Sequence, residues 1–181
     1  CSGLVGSEMC IRDRIGFEDL DGNGPSYWVG TEPMGQARMD FQAEAFSMYE
    51  SATVWVFGGF DGDFALASTE AFLADEEIWL PGPDMLSPRT NHRSIRLNSN
   101  QVLITGGFDG QEETASCEVF DLTTQTFTAV ASMNVGRASH TLSSLGDGRV
   151  LVTGGFNAAA GFQLSSCEVY DPETDVWTEV E

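Results

Sequence analysis

Val150-Leu151-Val152-Thr153-Gly154-Gly155 is a short apolar run closed by a glycine pair. The same arrangement stands twice more upstream, as Val102-Leu103-Ile104-Thr105-Gly106-Gly107 and Val54-Trp55-Val56-Phe57-Gly58-Gly59. Each glycine pair lies 48 residues after the one before it. A fixed period of this size means one supersecondary unit repeated, so each residue is read by its column in the repeat. A side chain that recurs in every unit is first of all part of the scaffold.

Other landmarks keep step with the glycines. Met34/Arg38, Met85/Arg89 and Met133/Arg137 precede them, and Glu70/Phe72, Glu118/Phe120 and Glu168/Tyr170 follow. Trp79, Phe127 and Trp177 close the units, and Trp28 joins their column because it precedes Met34 as Trp79 precedes Met85. Each unit reads as four short strands. Strand a follows the arginine (Ser139-His140-Thr141-Leu142), strand b ends at the glycines, strand c carries the Glu-x-aromatic text, and strand d carries the last aromatic. Runs of Val, Thr and aromatics bounded by Gly, Asp and Asn are strand signals. Asp147-Gly148 is the expected a–b turn, since that pair tolerates positive φ. The first unit has three extra residues between its arginine and its glycines, which places an insertion in its a–b hairpin near Met48-Tyr49-Glu50-Ser51. The stretch 64–77 is rich in Ala, Leu and Glu and alone would pass for a helix. The columns overrule that propensity, because Glu70, Phe72 and Trp79 fall in register.

These residues resemble a known family. Arg137-Ala138-Ser139-His140, Gly154-Gly155 and Tyr170-Asp171-Pro172-Glu173-Thr174-Asp175-Val176-Trp177 are similar to the kelch repeat. The middle unit departs mildly, with Phe120-Asp121-Leu122 and Phe127. The first departs more, with Phe41 in the histidine column and Leu73 in the aspartate column. The resemblance implies an all-β fold, a β-propeller of kelch type in which each repeat forms a four-stranded blade. The expectation is an incomplete ring: about three blades (32–80, 81–129, 130–181) and, over 15–31, one strand of a preceding blade. Stacked blades need large flat fillers, here Trp28, Trp79, Phe127 and Trp177. They need glycine where a neighbouring backbone leaves no room for Cβ, here Gly58, Gly59, Gly106, Gly107, Gly154 and Gly155. The paired columns also predict that Arg38, Arg89 and Arg137 bind the strand-c glutamates, Glu70, Glu118 and Glu168.

Residues 1–14 do not belong to the pattern. Leu4-Val5-Gly6-Ser7-Glu8-Met9-Cys10-Ile11-Arg12-Asp13 reads as the translation of a transposase-type sequencing adapter, CTC GTG GGC TCG GAG ATG TGT ATA AGA GAC. These residues are set aside as foreign. On this reading the native N-terminus is missing, which leaves the compartment open. The net charge is −20, there is no lysine, and Glu8 and Asp13 balance Arg12 and Arg14, so the whole excess belongs to the repeats. Such a surface repels phosphate backbones and argues against nucleic-acid binding. No stretch has the length to span a bilayer. Cys117 and Cys167 share one strand-c column of adjacent blades, which is expected to keep them beyond disulfide reach.

Candidate sites follow from the same columns. His92 and His140 occupy one column and are expected to be structural. No Cys/His cluster has metal-binding spacing, and no cofactor is expected. Asp19, Asp21 and Asn23 match the first half of a calcium loop, but Gly30 stands where the closing bidentate Glu belongs. The b–c and d–a loops share one rim. The b–c loops vary most, which marks them as the recognition surface for a protein or a glycan. Asp61, Asp63, Asp109, Glu112, Glu113 and Asn157 are the contact candidates there. Phe60, Phe108 and Phe156 recur and are expected to plug blade junctions. The leading functional expectation is therefore a binding scaffold without chemistry. The alternative is a piece of a galactose-oxidase-like propeller enzyme, whose copper would need Tyr and His ligands. Tyr27, Tyr49, Tyr170, His92 and His140 form no such set by their columns, so an active site of that kind would lie in other blades.

Overall fold

The computed structural model describes residues 30–48 and 51–180. They contain fourteen strands and no helix: β1 (Gln42–Met48), β2 (Ser51–Phe57), β3 (Thr69–Leu73), β4 (Ile78–Pro81), β5 (Arg93–Arg96), β6 (Gln101–Thr105), β7 (Cys117–Asp121), β8 (Thr126–Val130), β9 (Thr141–Ser144), β10 (Val150–Thr153), β11 (Phe156–Asn157), β12 (Phe162–Gln163), β13 (Cys167–Asp171) and β14 (Val176–Val180). Three four-stranded antiparallel sheets follow in chain order, β1-β2-β3-β4, β5-β6-β7-β8 and β9-β10-β13-β14. They are the blades, with the a, b, c and d strands in the order the columns predict. β11 and β12 form a small hairpin inside the third b–c connection, which the repeat pattern does not reveal. Trp28, and with it the expected strand of a preceding blade, lies outside the described residues.

The stretch 64–77 contains strand β3, so the columns do outweigh helix propensity there. The reason is cross-strand pairing. Phe72 faces Trp79 with ring centroids 5.1 Å apart, as Phe120 faces Phe127 at 4.8 Å and Tyr170 faces Trp177 at 4.9 Å. Such pairs fix register in a way that single-residue propensity cannot. Two boundaries differ from expectation. Strand a begins at Thr141, two residues late, because Ser139 sits at φ 53°, in the left-handed region where an extended strand cannot start. The a–b turn of the third blade uses one positive φ, at Gly148 (φ 91°), whose N–H donates to Leu145 O. Asp147 instead accepts the Arg149 N–H at the turn. In the first blade the insertion lengthens the hairpin: β1 and β2 are seven residues each and pair from Gln42↔Phe57 outward, while Tyr49 and Glu50 lie outside the described residues.

The inner strands lie side by side, β1 against β5 and β5 against β9, so the blades stack about a common axis. The cores therefore lie between blades. Trp55, Phe57 and Ala71, on the trailing face of blade 1, pack against Met85, Val102, Ile104 and Phe120 of blade 2. Leu103 and Cys117, on the trailing face of blade 2, pack against Met133, Val150, Val152, Tyr170 and Trp177 of blade 3. A b strand is thus buried on both sides, which is why its text is continuously apolar rather than alternating. The glycine pairs sit at these junctions. Gly106 has φ 57°, and a Cβ there would strike Arg137 O of the next blade. Gly58 has the same φ, and its Cβ would lie 2.6 Å from Arg89 O. Both positions thus demand glycine twice, for backbone conformation and for space. The second glycine of the first two pairs ties the blades together: Gly59 N–H donates to Arg89 O and Gly107 N–H to Arg137 O, both at 2.9 Å.

Candidate functional site

The rim that carries the b–c and d–a loops is held by one polar cluster repeated in every blade. Arg137 Nη1 donates to Gly154 O at 2.7 Å and Ser166 O at 3.1 Å, and Nη2 donates to Ser166 Oγ at 3.2 Å and Glu168 Oε1 at 2.8 Å. Arg38 makes the same set with Gly58, Ser68 and Glu70. Arg89 makes it with Gly106, Ser116 and Glu118. The predicted arginine–glutamate pairing is therefore present within each blade, at 2.7–2.8 Å and out of solvent. The glutamates work in both directions. Glu70, Glu118 and Glu168 also accept backbone N–H groups of the d–a loop, from Gly35, Leu86 and Asn134. The serine column Ser68, Ser116, Ser166 completes the cluster. It recurs in the sequence and was a readable signal that went unread. Burial pushes the Glu118 carboxyl up, against the opposing pull of Arg89 and the Leu86 N–H. A buried carboxylate of this kind is retained only because its lone pairs are filled.

The b–c loops stand on constant anchors. Phe60 pairs with Met39, Phe108 with Thr90 and Phe156 with Ala138 as isolated antiparallel bridges. Beyond the anchors the tips differ. In the first two blades an aspartate shapes the tip. Asp61 Oδ1 accepts the N–H groups of Asp63 and Phe64, which lowers its pKa, and Asp109 Oδ1 accepts those of Gln111 and Glu112. In the third blade Asn157 takes that place, accepting Ala160 N–H, but its Nδ2 also donates to Gly136 O at 2.6 Å and the residue is buried. Glu113 accepts Ala158 N–H and so links the tips of blades 2 and 3. Asp63 and Glu112 remain the freely exposed carboxylates of the set. Phe64, Leu86, Phe162 and Met39 are exposed on the same loops and their anchors, Phe64 most of all at 73%.

Beside the anchors runs a column that sequence reasoning missed. Asp40, Asn91 and Ser139, two residues after each arginine, all adopt positive φ of 53–54°. Their backbones form a chain across the blades, Asn91 N–H to Asp40 O at 3.0 Å and Ser139 N–H to Asn91 O at 2.8 Å. The signal was Asp and Asn at a repeated position, since these residues tolerate the left-handed conformation best.

The remaining candidates fall in the interior. His140 Nε2 bonds Thr105 Oγ1 of the preceding blade at 2.7 Å. His92 lacks the counterpart of this side-chain bond, because Phe57 stands in the threonine column of blade 1. Burial, aided by nearby arginines, lowers both histidines to about 3, so both are neutral at pH 7. Tyr170 pairs with Trp177 and donates to Asp175, away from either histidine. Cys117 and Cys167 are both free thiols, and burial pushes Cys117 up to about 12. Trp79 and Trp177 make the same hydrogen bond, each donating its indole N–H to a carbonyl two residues before the methionine of its unit, Glu32 O and Ala131 O, but Trp177 is buried in the core between blades 2 and 3 while Trp79 is half-buried and lines a cleft. Asp19, Asp21 and Asn23 lie outside the described residues. Among the described residues no helix is long and apolar enough to cross a membrane.

Comparison with known families agrees with this architecture. The kelch motif model matches residues 89–134 and 137–181, together about half of the chain. No curated protein matches the chain. Kelch repeats generally mediate protein interactions, and the family consists mostly of scaffolds rather than enzymes. Repeated motif, four-stranded blades and inter-blade cores together place this chain in the kelch-repeat family, as a run of β-propeller blades.

Proposed function

We propose that the chain is a recognition scaffold whose b–c and d–a loops bind a polypeptide partner. The observation that carries this reading is the contrast between fixed anchors and variable tips. The three b–c loops spring from equivalent backbone bridges, yet they differ in sequence and, in the third blade, in length and secondary structure. A rigid base with divergent tips is how a fold varies recognition without disturbing its core. Exposed Phe64, Leu86 and Phe162 supply apolar contact area, and Asp63 and Glu112 supply charge. The three arginines on this side are each tied to a buried glutamate and leave that charge uncompensated. Apolar anchors with flanking charges suit a polypeptide better than a glycan.

The test is capture of a binding protein by the immobilised chain, followed by affinity measurement with the purified partner. Phe64→Ser with Asp63→Lys, and Glu112→Lys, are expected to weaken binding, while Glu173→Lys on the opposite rim is expected to leave it unchanged. Equal loss from both rims, or loss from Glu173→Lys alone, refutes the assignment.

A further inference from the structure

We propose that the polypeptide segment bound on this rim carries a lysine or arginine between two apolar side chains. The inference rests on the rim being the recognition surface and names what fits it. Backbone pairing sets the three b–c loops in register where their sequences diverge. Ala65, Glu113 and Gln163 pair with the anchors Phe60, Phe108 and Phe156. One residue further on, the N–H groups of Leu66, Thr114 and Leu164 donate to Gly59 O, Gly107 O and Gly155 O at 2.8–2.9 Å. The residues just before these pairs, Phe64, Glu112 and Phe162, therefore hold one structural position, although the third loop is two residues longer. Along the rim, which follows the order of the blades, that position reads aromatic, acidic, aromatic.

The position points off the rim rather than into a blade junction. Glu112 is exposed although its blade has a neighbour on either side. Phe64 is 73% exposed with blade 2 following it, and Phe162 is 58% exposed with blade 2 preceding it. In the first two loops the position closes a turn, its N–H held by Asp61 Oδ1 or Asp109 Oδ1. Phe162 arrives from a different turn and holds φ 84°. That conformation is unfavourable for a bulky side chain. Little burial offsets it, since the ring meets Phe156 at 5.9 Å and otherwise stands largely in solvent. Backbone strain kept without a gain in packing is a mark of ligand-binding loops.

The charge between the two rings is uncompensated. Glu112 makes no ion pair among the described residues, and Arg38, Arg89 and Arg137 are each bound to a buried glutamate. Asp63, exposed beside Phe64, adds to the negative field. A cationic side chain flanked by apolar ones answers both features of the rim. An acidic or uncharged polar segment does not.

The experiment is fluorescence anisotropy of the full chain with labelled synthetic peptides. Each probe places one arginine between two leucines, with glycine–serine spacers of graded length. Matched probes carry glutamate in place of the arginine, or serine in place of both leucines. The best arginine probe is expected to bind about tenfold or more tighter than either matched probe, and less tightly in salt. Glu112→Lys is expected to invert the preference, so that the glutamate probe binds tighter than the arginine probe. Glu173→Lys makes the same charge change on the opposite rim and is expected to keep the parental preference. The two together separate a local contact from attraction to a chain of net charge −20. Phe64→Ser and Phe162→Ser are each expected to weaken binding about tenfold with the charge preference intact. All four substituted positions are exposed, and circular dichroism checks that each variant folds. The proposal is overturned if no probe binds, if arginine and glutamate probes bind alike, or if Glu112→Lys keeps the parental preference. Arginine and glutamate probes that bind alike but are both lost in Phe64→Ser would leave the rim as the recognition surface and remove only the cation. Binding lost in Glu173→Lys alone would refute the rim itself.

Discussion

Replacing Arg137 by methionine removes one guanidinium from four acceptors at once. Gly154 O and Ser166 O lose their shared donor, Ser166 Oγ loses a bond at 3.2 Å, and Glu168 loses its counter-charge at 2.8 Å. The methionine fills most of the volume, so the cost is electrostatic rather than a cavity. Removing one partner of a buried pair costs roughly 3–5 kcal/mol, because the other charge is left uncompensated. Two features bear on where in that range the value falls. Glu168 keeps the N–H groups of Asn134 and Val135 and the Asn134 side-chain amide, which lowers the cost. The orphaned carbonyls raise it, at about 1–3 kcal/mol for each group left unsatisfied. The balance is about 4 kcal/mol, or a fall in melting temperature on the order of 10 °C for a chain of this size. Urea unfolding followed by tryptophan fluorescence, with circular dichroism alongside, measures it. Arg149→Met is the control. Its pair with Asp147 is half exposed on the opposite rim, so its loss is expected to leave the midpoint in place. If Arg137→Met shifts the midpoint no more than Arg149→Met does, the buried cluster does not hold the blade and the reasoning fails.

Acid should destabilise the fold between pH 7 and pH 5, through the two buried histidines. Both histidines have folded values near 3, below the ordinary 6.5, so their contribution is fully present above pH 6.5 and is lost as pH falls toward 3. At pH 5 that is about 2 kcal/mol for each histidine, and a flat urea midpoint between pH 7 and pH 5 would count against their burial as neutral groups. Thr105→Val leaves His140 without its partner and is expected to cost about 1–2 kcal/mol in the same assay. Parity with the parent would mean that the bond is not formed. Gly106→Ala drives a methyl into Arg137 O from a left-handed φ and is expected to abolish cooperative unfolding. Gly146→Ala, with nothing within 4 Å and no positive φ, should behave like the parent. Similar stability of the two alanine variants would contradict the close approach of the blades.

Much of this was legible because the repeat presents each scaffold residue three times. The arginine and glutamate columns could be paired without coordinates, since a recurring cation and a recurring anion in an apolar setting must answer each other. The aromatic columns overruled the helix-like composition of the stretch 64–77 for the same reason. What stayed hidden depends on contacts between units. Asn157 looks like any other polar loop residue until Gly136 O is seen to lie against it. The left-handed column of Asp40, Asn91 and Ser139 follows from backbone bonds that run from blade to blade. That His140 bonds a threonine while His92 does not turns on Phe57 replacing that threonine in the preceding blade, a difference one column away. The candidate rim was readable as a location, but not as a division of labour. Asp61 and Asp109 shape their own loops, and Asp63 and Glu112 face outward.

The stacking of equivalent blades is tested most directly by amide hydrogen exchange at the second glycine of the first two pairs, read by NMR. Gly59 and Gly107 each donate to the arginine carbonyl of the following blade, and the account predicts slow exchange at both, close to that of the β6 core amides. Fast exchange at Gly59 and Gly107 in a chain whose β6 amides are protected would show that the sheets form without packing on one another, and would contradict it.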